Sequence, residues 1–578
     1  MKDLSRHSKP LKVIPLGGVG AFGMNMMLFE YGHDIVLVDV GLMFPDPDLL
    51  GVDIVIPDFT YLRNPTKQLL GVFLTHGHMD HIGAVPYLLR EMNAPIYGTT
   101  MTLGFLADRL KAHRQDLFSE IQTDASAEDR LPVIPTVQLV PIQPGVPITL
   151  GPFSIEAIPV THSIVESVAY AITTPVGCLI HTGDFKIDPT PVRGAGFDPT
   201  RFIEHGRLGV LALFSDSTNS ERAGHCASER SVGETFGRLF SKIEGRIFVA
   251  TFASNLHRID QIAQSAAQCG RKLFMTGKGL TDAIRIGREA GYSAIPTEQA
   301  LPLHALSHTS DREVVVMTTG SQGEPTSALS KMAIGDHKEI HLKEGDTVIL
   351  SARVIPGNEA DVTKMINHLL RRGVRVVQEK EVHASGHAHR DEQKQMIEWV
   401  NPRYFIPVHG DYRQLLAHAE VAAQTGLSSD RIRVIENGDT LLLTPDACQS
   451  GKPVPAERIL IDGRDRLEVS TLSDRRYLSS EGILVVTVDI YKVKLCAGPF
   501  FVSRGFVQDD PDLPLWKALR TVIERLFETM ESELGQDAAP PPSEEIEKQI
   551  RGALKKWISK KLRRYPLILP NVRRVDRP

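Results

Sequence analysis

His76-Gly77-His78-Met79-Asp80-His81 places four metal-capable side chains within six residues, directly behind the apolar run Leu69-Leu70-Gly71-Val72-Phe73-Leu74. Strand residues alternate faces, whereas a tight loop at a strand end turns several imidazoles toward one point. Imidazole and carboxylate together suit zinc, manganese or iron, and two adjacent ions need this many ligands. The hexapeptide is read as a metal site whose remaining ligands must come from elsewhere in the chain.

At 578 residues the chain exceeds one hydrophobic core and is expected to form two to four domains. With 42% hydrophobic and 23% charged residues it has an ordinary globular composition. A net charge of −5 provides no global basic field, so a polyanion would have to be held by a local patch. The five cysteines (Cys178, Cys226, Cys269, Cys448, Cys496) never form a C-x-x-C pair, which argues against cysteine-held zinc and for a reducing compartment. Met1-Lys2-Asp3-Leu4-Ser5-Arg6-His7 has charge without an apolar region behind it, and no apolar run is long enough to span a bilayer. A cytoplasmic location without membrane contact is expected.

Working outward, residues 11–100 alternate short strands (Lys12–Leu16, Met26–Tyr31, Ile35–Val40, Val72–Thr75) with Gly/Pro turns, and helical periodicity appears at Ile82–Met92. Strand signals recur at Val137–Val140, Phe153–Val160, Ala169–Thr173 and Cys178–His181. From about residue 210 the texture becomes α/β: Ile247–Ala250, Lys272–Met275, Glu313–Thr318 and Thr347–Ser351 are compact apolar runs, as in a parallel sheet. A helix is expected at about Glu359–Arg372, stopped by Gly373. Residues 446–458 read as a linker, followed by a strand-rich stretch, Ile459–Val507, and two helices split by Ala538-Ala539-Pro540-Pro541-Pro542.

Gly18-Val19-Gly20-Ala21-Phe22-Gly23 satisfies the dinucleotide fingerprint G-x-G-x-x-G, with Asp39 about 20 residues beyond its first glycine. The segment between them, Met26–Tyr31, a turn at Gly32 and Ile35–Val38, has no room for a crossover helix. A tight loop near the site floor is expected instead.

Further His and Asp residues stand at strand ends: Val160-Thr161-His162-Ser163, Ile180-His181-Thr182-Gly183-Asp184, Asp39 after Ile35–Val38, and Pro407-Val408-His409-Gly410-Asp411. The ordered set Asp39, His76-x-His78-x-Asp80-His81, His162, Asp184 resembles the metallo-β-lactamase superfamily. Ser215-Asp216-Ser217-Thr218-Asn219, Ala384-Ser385-Gly386-His387 and Pro407-Val408-His409-Gly410-Asp411 resemble its β-CASP branch. Gly17-Gly18-Val19-Gly20, Gly41-Leu42-Met43-Phe44-Pro45-Asp46, Thr182-Gly183-Asp184-Phe185-Lys186-Ile187-Asp188-Pro189-Thr190, Thr319-Gly320-Ser321-Gln322-Gly323-Glu324-Pro325 and Ile355-Pro356-Gly357-Asn358-Glu359 are similar to bacterial ribonuclease J. The likeness is close over residues 11–445 and looser beyond. Met79, Val165 and Ala21 depart from the family pattern, and none is a candidate ligand.

The resemblance implies an α/β fold: a metallo-β-lactamase αββα sandwich with an inserted β-CASP α/β domain and a small α+β C-terminal domain. Expected boundaries are 1–210 and 359–445 for the two parts of the sandwich, 211–358 for the insertion, 446–458 for the linker and 459–578 for the C-terminal domain. It implies two divalent metal ions, zinc first with manganese as the alternative. His76, His78 and His162 would hold one, Asp80, His81 and His409 the other, and Asp184 would bridge them. Asp39 would orient the cluster from outside the ligand set, and Asp216 would bond a neighbouring histidine or simply form a turn. His387 would stand beside the scissile phosphate, stabilising its oxygens or protonating the leaving 3′-oxygen.

The implied activity is a ribonuclease working 5′→3′ from 5′-monophosphorylated RNA ends, with endonuclease activity as well, in RNA maturation and decay. A hydroxide between the two ions would attack the phosphodiester. Asp80, His81, Asp184 and His387 are the catalytic candidates. Ser321, Ser351, Arg353, Ser385, Gly386 and His387 are candidates for gripping phosphate, and Phe44 for stacking on a base, with solvated loops as the alternative. Arg258 and Lys278 are candidates for lining the RNA channel. In the terminal helix, Ile550, Leu554, Ile558 and Leu562 recur every four residues beside Trp557, which suits a core or a subunit interface. Its basic side would touch RNA or water, and the family resemblance implies a homodimer or homotetramer through this domain, with RNA-decay partners possible. Two other readings carry forward: a small-molecule metallo-hydrolase (lactonase or thioesterase), and an inactive paralogue acting as a scaffold.

Overall fold

The computed structural model describes residues 9–120, 137–292 and 300–576, apart from residues 356, 379, 464, 509, 511, 512 and 535–538. The amino-terminal heptapeptide and part of the Pro-rich break therefore lie outside the described residues. Two compact units emerge: residues 1–44 with 54–459, and residues 45–53 with 460–578.

The larger unit is built on two sheets. One has eight strands in the order Cys448–Ser450, Leu441–Leu443, Leu11–Gly17, Met26–Tyr31, Asp34–Val38, Gln68–Phe73, Ile96–Gly98, Leu139–Pro141. The other has six: Tyr404–Val408, Val210–Asp216, Gly177–His181, Val168–Thr174, Phe153–Pro159, Ile148–Leu150. Val13, Phe29, Val36 and Phe73 of the first pack against Ile155, Tyr170, Leu179 and Phe214 of the second in one core. The alternate residues of the second sheet, including Ile158, Ala169 and Leu213, meet Phe202, Met396, Ile397 and Val421 of three covering helices. This is a helix–sheet–sheet–helix sandwich, set by period-2 alternation in strands buried on both faces.

Met26–Tyr31 pairs antiparallel with both Leu11–Gly17 and Asp34–Val38. The glycine-rich loop thus links antiparallel neighbours, with no crossover helix after it. Residues 446–458, expected as a linker, instead contain the strand Cys448–Ser450, which pairs with Leu441–Leu443, so that part of the segment belongs to the sandwich.

Within the same unit a third sheet is wholly parallel: Ala300–Leu301, Lys272–Thr276, Val314–Thr318, Ile247–Ala250, Thr347–Leu350, Arg375–Val377. Val249, Val315, Met317 and Ile349 face helices Arg230–Lys242 and Leu256–Gln268, while Phe248, Val316 and Val348 face helices Ala328–Ile334 and Glu359–Arg371. Glu359–Arg371 and Arg375–Val377 therefore belong to this layer, and a boundary at residue 358 falls inside it. The apolar run at 347–350 cannot reveal this, because its parallel neighbour comes after a whole helix.

Val210–Asp216 and Tyr404–Val408 lie side by side in parallel, although the third sheet is built between them in sequence. The chain departs after Asp216, returns to the sandwich by the helix Arg390–Val400 and re-enters the sheet at Tyr404, so Asp216 and His409 end up at adjacent strand ends.

In the smaller unit Ile483–Tyr491 is the central strand between Lys494–Arg504 and Leu567–Arg574. Leu484, Val486, Val488 and Ile490 point inward against helices Pro514–Glu533 and Ser543–Leu562. Ile546, Ile550, Leu554 and Ile558 are fully buried there. The stripe of the terminal helix is used within its own unit rather than for a subunit interface, and Leu562 remains 39% exposed. The strand-rich reading of 459–507 missed the helix Val469–Ser480. No described helix is long and apolar enough to cross a membrane.

Candidate metal centre

Thr75 and the hexapeptide follow the strand Gln68–Phe73, and Met79–Ile82 forms one helical turn that presents Asp80 and His81. That turn lies against the backbone of Gly41, where any Cβ would stand 1.6 Å from the Asp80 carbonyl oxygen. Two partner residues hold left-handed backbone, Asp39 (φ 61°) and His409 (φ 55°), a conformation costly for non-glycine residues and concentrated at functional sites.

The donor atoms fall into overlapping groups, each with its members within 4.8 Å of one another: His76, His78, His162 and Asp184; and Asp80, His81, Asp184 and His409. His76 Nε2 approaches His78 Nδ1 at 3.0 Å, and His162 Nε2 approaches the same atom at 3.3 Å. Asp184 Oδ2 is 3.6 Å from His76 Nε2, 3.7 Å from His162 Nε2 and 3.3 Å from His81 Nε2, while Oδ1 is 3.3 Å from His409 Nε2. Asp184 thus touches both groups, the position a bridging carboxylate needs. Asp184 Oδ1 and His409 Nε2 are buried without a hydrogen-bond partner, so the residues present fit divalent cations.

The outward ring nitrogens are anchored. His81 Nδ1 donates to Asp39 Oδ2 (2.7 Å), and His162 Nδ1 to the Gly386 carbonyl (2.6 Å). His76 Nδ1 bonds Thr75 Oγ1 (3.0 Å), which donates to Asp39 Oδ2 (2.8 Å). His409 Nδ1 bonds Thr218 Oγ1 (2.8 Å), which donates to Asp216 Oδ1 (2.7 Å). The chains from His76, His81 and His409 end on a carboxylate and that from His162 on a backbone carbonyl, which places a proton on Nδ1 and turns Nε2 toward the cluster, whereas His78 turns its Nδ1 toward it. Asn25 Nδ2 braces the other side, donating to the Asp80 carbonyl (3.0 Å).

Electrostatics follow from this packing. Burial pushes His78 down to about 4 and holds His76 and His162 well below their ordinary range. Burial also disfavours charge on His81 and His409, but Asp184 and the other carboxylates around them outweigh it and raise both well above the ordinary value. Burial works to raise Asp184, yet His409, His81 and His76 together hold it well below the usual carboxylate range.

A third group, Asp184, Asp216, His387 and His409, adjoins these. His387 Nδ1 donates to Asp216 Oδ2 at 2.7 Å, and against the effect of burial Asp216 raises the imidazole above its ordinary value. Asp216 combines both roles foreseen for it: its Oδ1 also accepts from Thr218 N, closing the turn. The His387 loop is fastened by Asn219 Nδ2, which donates to Ser385 Oγ (3.0 Å) and the His387 carbonyl (3.1 Å). Buried Glu392 accepts from Ile187 N (2.8 Å), Cys226 N (2.6 Å) and His389 N (2.8 Å), tying that loop to the one bearing Asp184.

Three of the candidate phosphate residues, Arg353, Ser385 and His387, join one network. Gln322, next to Ser321, donates to the Arg353 carbonyl (2.8 Å), and Arg353 Nη1 donates to Asn219 Oδ1 (3.1 Å). Ser385 and His387 follow through Asn219. Phe44 is 66% exposed, and Lys278 is exposed at a helix start. Gly386 sits so close to His162 that a Cβ would lie 2.7 Å from Cε1.

Two candidates are corrected. Ser351 is buried, donating its hydroxyl to the Val382 carbonyl (2.6 Å) and accepting from Arg258 Nη1 (2.8 Å). Arg258 is itself 1% exposed, in a buried pair with Glu229 (2.6 Å), and lines no channel. Asn25, Thr75, Thr218, Asn219 and Glu392 escaped sequence reading. Glu392 carried a local signal, the capping box His389-x-x-Glu392 that opens the helix Arg390–Val400, and Thr218 and Asn219 lay within a family-like motif that gave them no role.

Four family models match the chain. The metallo-beta-lactamase superfamily covers residues 19–202, and the ribonuclease J beta-CASP domain 244–369. The Zn-dependent metallo-hydrolase RNA specificity domain covers 361–434, and the ribonuclease J C-terminal domain 470–575. Ribonuclease J of Helicobacter pylori is 35% identical over 97% of this chain and 79% of its own length. Ribonuclease J2 of Bacillus subtilis is 36% identical over 99% of this chain and 100% of its own, and ribonuclease J 1 of Streptococcus pyogenes is 37% identical over 100% of both. This chain belongs to the ribonuclease J family. A crystal structure of a protein of unknown function from Enterococcus faecalis V583 shares the fold, with a TM-score of 0.51 at 15% identity, over 75% of this chain and 100% of that one. Within the family frame, His76 to Asp184 fall in the metallo-beta-lactamase match, and His387 and His409 in the RNA specificity match.

Proposed function

We propose that this chain is a metal-dependent ribonuclease that works 5′→3′ from 5′-monophosphorylated RNA ends and also cleaves internally, in RNA maturation and decay. The observation that carries the reading is the pair of His/Asp groups sharing Asp184, with the His387–Asp216 pair beside them. His76, His78, His162 and Asp184 would hold one divalent ion, and Asp80, His81, His409 and Asp184 a second, zinc being the ion the donor set suits first. Bound there, such ions activate water at neutral pH and offset phosphate charge.

The chain's own groups supply the rest. Asp39 and Asp216, through Thr75 and Thr218, hold His76 and His409 in one tautomer. Asp216 accepts from His387 Nδ1 and favours the imidazolium, so that His387 carries a proton on Nε2 as well and delivers it to the departing 3′-oxygen. Arg353, Ser385 and Gly386 bind phosphate beside Asn219, with Ser321 alongside Gln322, and Phe44 stacks on a base.

A homodimer through the C-terminal unit is supported by the outward sheet face there, where Phe500 (53%), Val502 (55%) and Leu569 (41%) stand exposed. The free state of all five cysteines suits a cytoplasmic location. Neither a small-molecule hydrolase nor an inactive scaffold accounts for an intact donor set beside an RNA specificity match.

Two RNAs differing only at the 5′ end test the reading. The monophosphate form should be degraded faster than the triphosphate, giving products with 5′-phosphate and 3′-hydroxyl. Equal rates would remove end recognition, and 3′-phosphate products would contradict the direction of attack.

A further inference from the structure

The last turns of the helix Ser543–Leu562 carry charge that the metal centre does not use. From Arg551 to Val575 there are nine Lys and Arg and no Asp or Glu, in a chain of net charge −5. Four of these cations are committed. Arg551 bonds the Ile568 carbonyl, Arg564 pairs with Glu481, Arg573 with Asp489, and Arg574 bonds Ser543. Lys555, Lys556, Lys560, Lys561 and Arg563 are exposed, and among the described residues no carboxylate pairs with them.

Their arrangement is not explained by helix stability. Cations favour a helix C-terminus only within its last turn, whereas Lys555 and Lys556 lie earlier. Lys556 and Lys560 are four apart, as are Lys560 and Arg564, and such like-charged neighbours cost stability. The opposite side of the helix is the buried ridge Ile546, Ile550, Leu554 and Ile558, which fixes Lys555, Lys556 and Lys560 toward solvent. Directly beyond the helix stands Tyr565, 49% exposed, and Arg563 closes the helix in left-handed conformation (φ 54°). Cations beside an exposed ring match single-stranded nucleic acid, whose phosphates pair with the cations and whose bases stack. An acidic protein would leave the ring unused, and the helix has no apolar side to lay into a lipid surface, because that side is buried within its own unit.

We infer that this helix end is a second docking surface for single-stranded RNA, with Lys555, Lys556, Lys560, Lys561 and Arg563 gripping phosphates and Tyr565 stacking on a base. The inference rests on the ribonuclease reading and adds a surface within the C-terminal unit that holds substrate beyond the reacting end.

The test compares the full chain with a variant carrying Lys555→Gln, Lys556→Gln, Lys560→Gln and Lys561→Gln, on a short oligoribonucleotide and a long unstructured RNA, both 5′-monophosphorylated. KM for the long RNA should rise about tenfold, and the log–log salt dependence of its binding should flatten by about 3, near 0.7 per lost single-strand phosphate contact. The short RNA should keep its KM, and kcat should stay unchanged for both. Tyr565→Ala should raise KM for the long RNA without altering the salt slope, and the four Lys→Arg changes should leave both as they are. An unchanged long-RNA KM, or an equal rise on both RNAs, would overturn the surface alone. An unmodified protein that cleaves neither RNA would overturn the ribonuclease reading, and the surface with it.

Discussion

Thr75 and Thr218 play the same part at two places: each hydroxyl accepts a hydrogen bond from Nδ1 of a metal-facing histidine and donates one to a carboxylate. Thr75→Val and Thr218→Val keep the shape and remove the relay. Each should weaken metal affinity by about tenfold to a hundredfold, with little change in Tm, as measured by competition with a coloured chelator. Glu392 acts further out. In Glu392→Gln one amide NH2 must face a backbone N–H wherever it turns, so the His387 loop loses an anchor. Because the same loop gives His162 its Gly386 carbonyl, kcat should fall about tenfold or more, at about 1.4 kcal/mol per tenfold, with KM nearly unchanged. A loss confined to Tm, with kcat intact in the folded fraction, would reduce Glu392 to a structural role.

At the scale of elements, the metal hexapeptide was legible because its ligands are contiguous behind a strand. His162, Asp184 and His409 were legible through the repeated form of strand, ligand and small residue. What failed was burial. Arg258 looks like an RNA contact in the sequence, but its helix Leu256–Gln268 lies against the parallel sheet, and the guanidinium is consumed by Glu229 and the Ser351 loop. Sequence pattern says which face of a helix is apolar, not whether one arginine on it meets a carboxylate. Thr75 and Thr218 were invisible for a related reason, since a threonine beside a histidine has no distinctive spacing.

The buried pair makes its own prediction. Burial tends to raise the Glu229 carboxyl, but Arg258 outweighs this and holds it below 4.5. A carboxylate depressed on folding contributes stability above its unfolded value and loses it as pH falls through the folded value. Glu229→Gln should therefore cost about 3 kcal/mol in urea unfolding at pH 7, and the gap to the unmodified chain should narrow below pH 4.5.

Over the whole molecule, the decisive feature is the return of the chain. Val210–Asp216 and Tyr404–Val408 are adjacent in one sheet, while the parallel-sheet layer is built from the chain between them. Pairing of these two strands brings Asp216 and His409 together although almost 200 residues separate them in sequence. The strand-end form marks His409 as a candidate, but only the family resemblance assigns it to this centre, because nothing local links it to a hexapeptide more than 300 residues earlier.

The central claim is a two-ion ribonuclease centre bridged by Asp184, and titration of chelator-stripped protein with divalent metal, followed by cleavage of 5′-monophosphorylated RNA, tests it most directly. The account predicts no cleavage without metal and a maximum at two equivalents per chain. Cleavage by the stripped protein, or a full plateau at one equivalent, would contradict it.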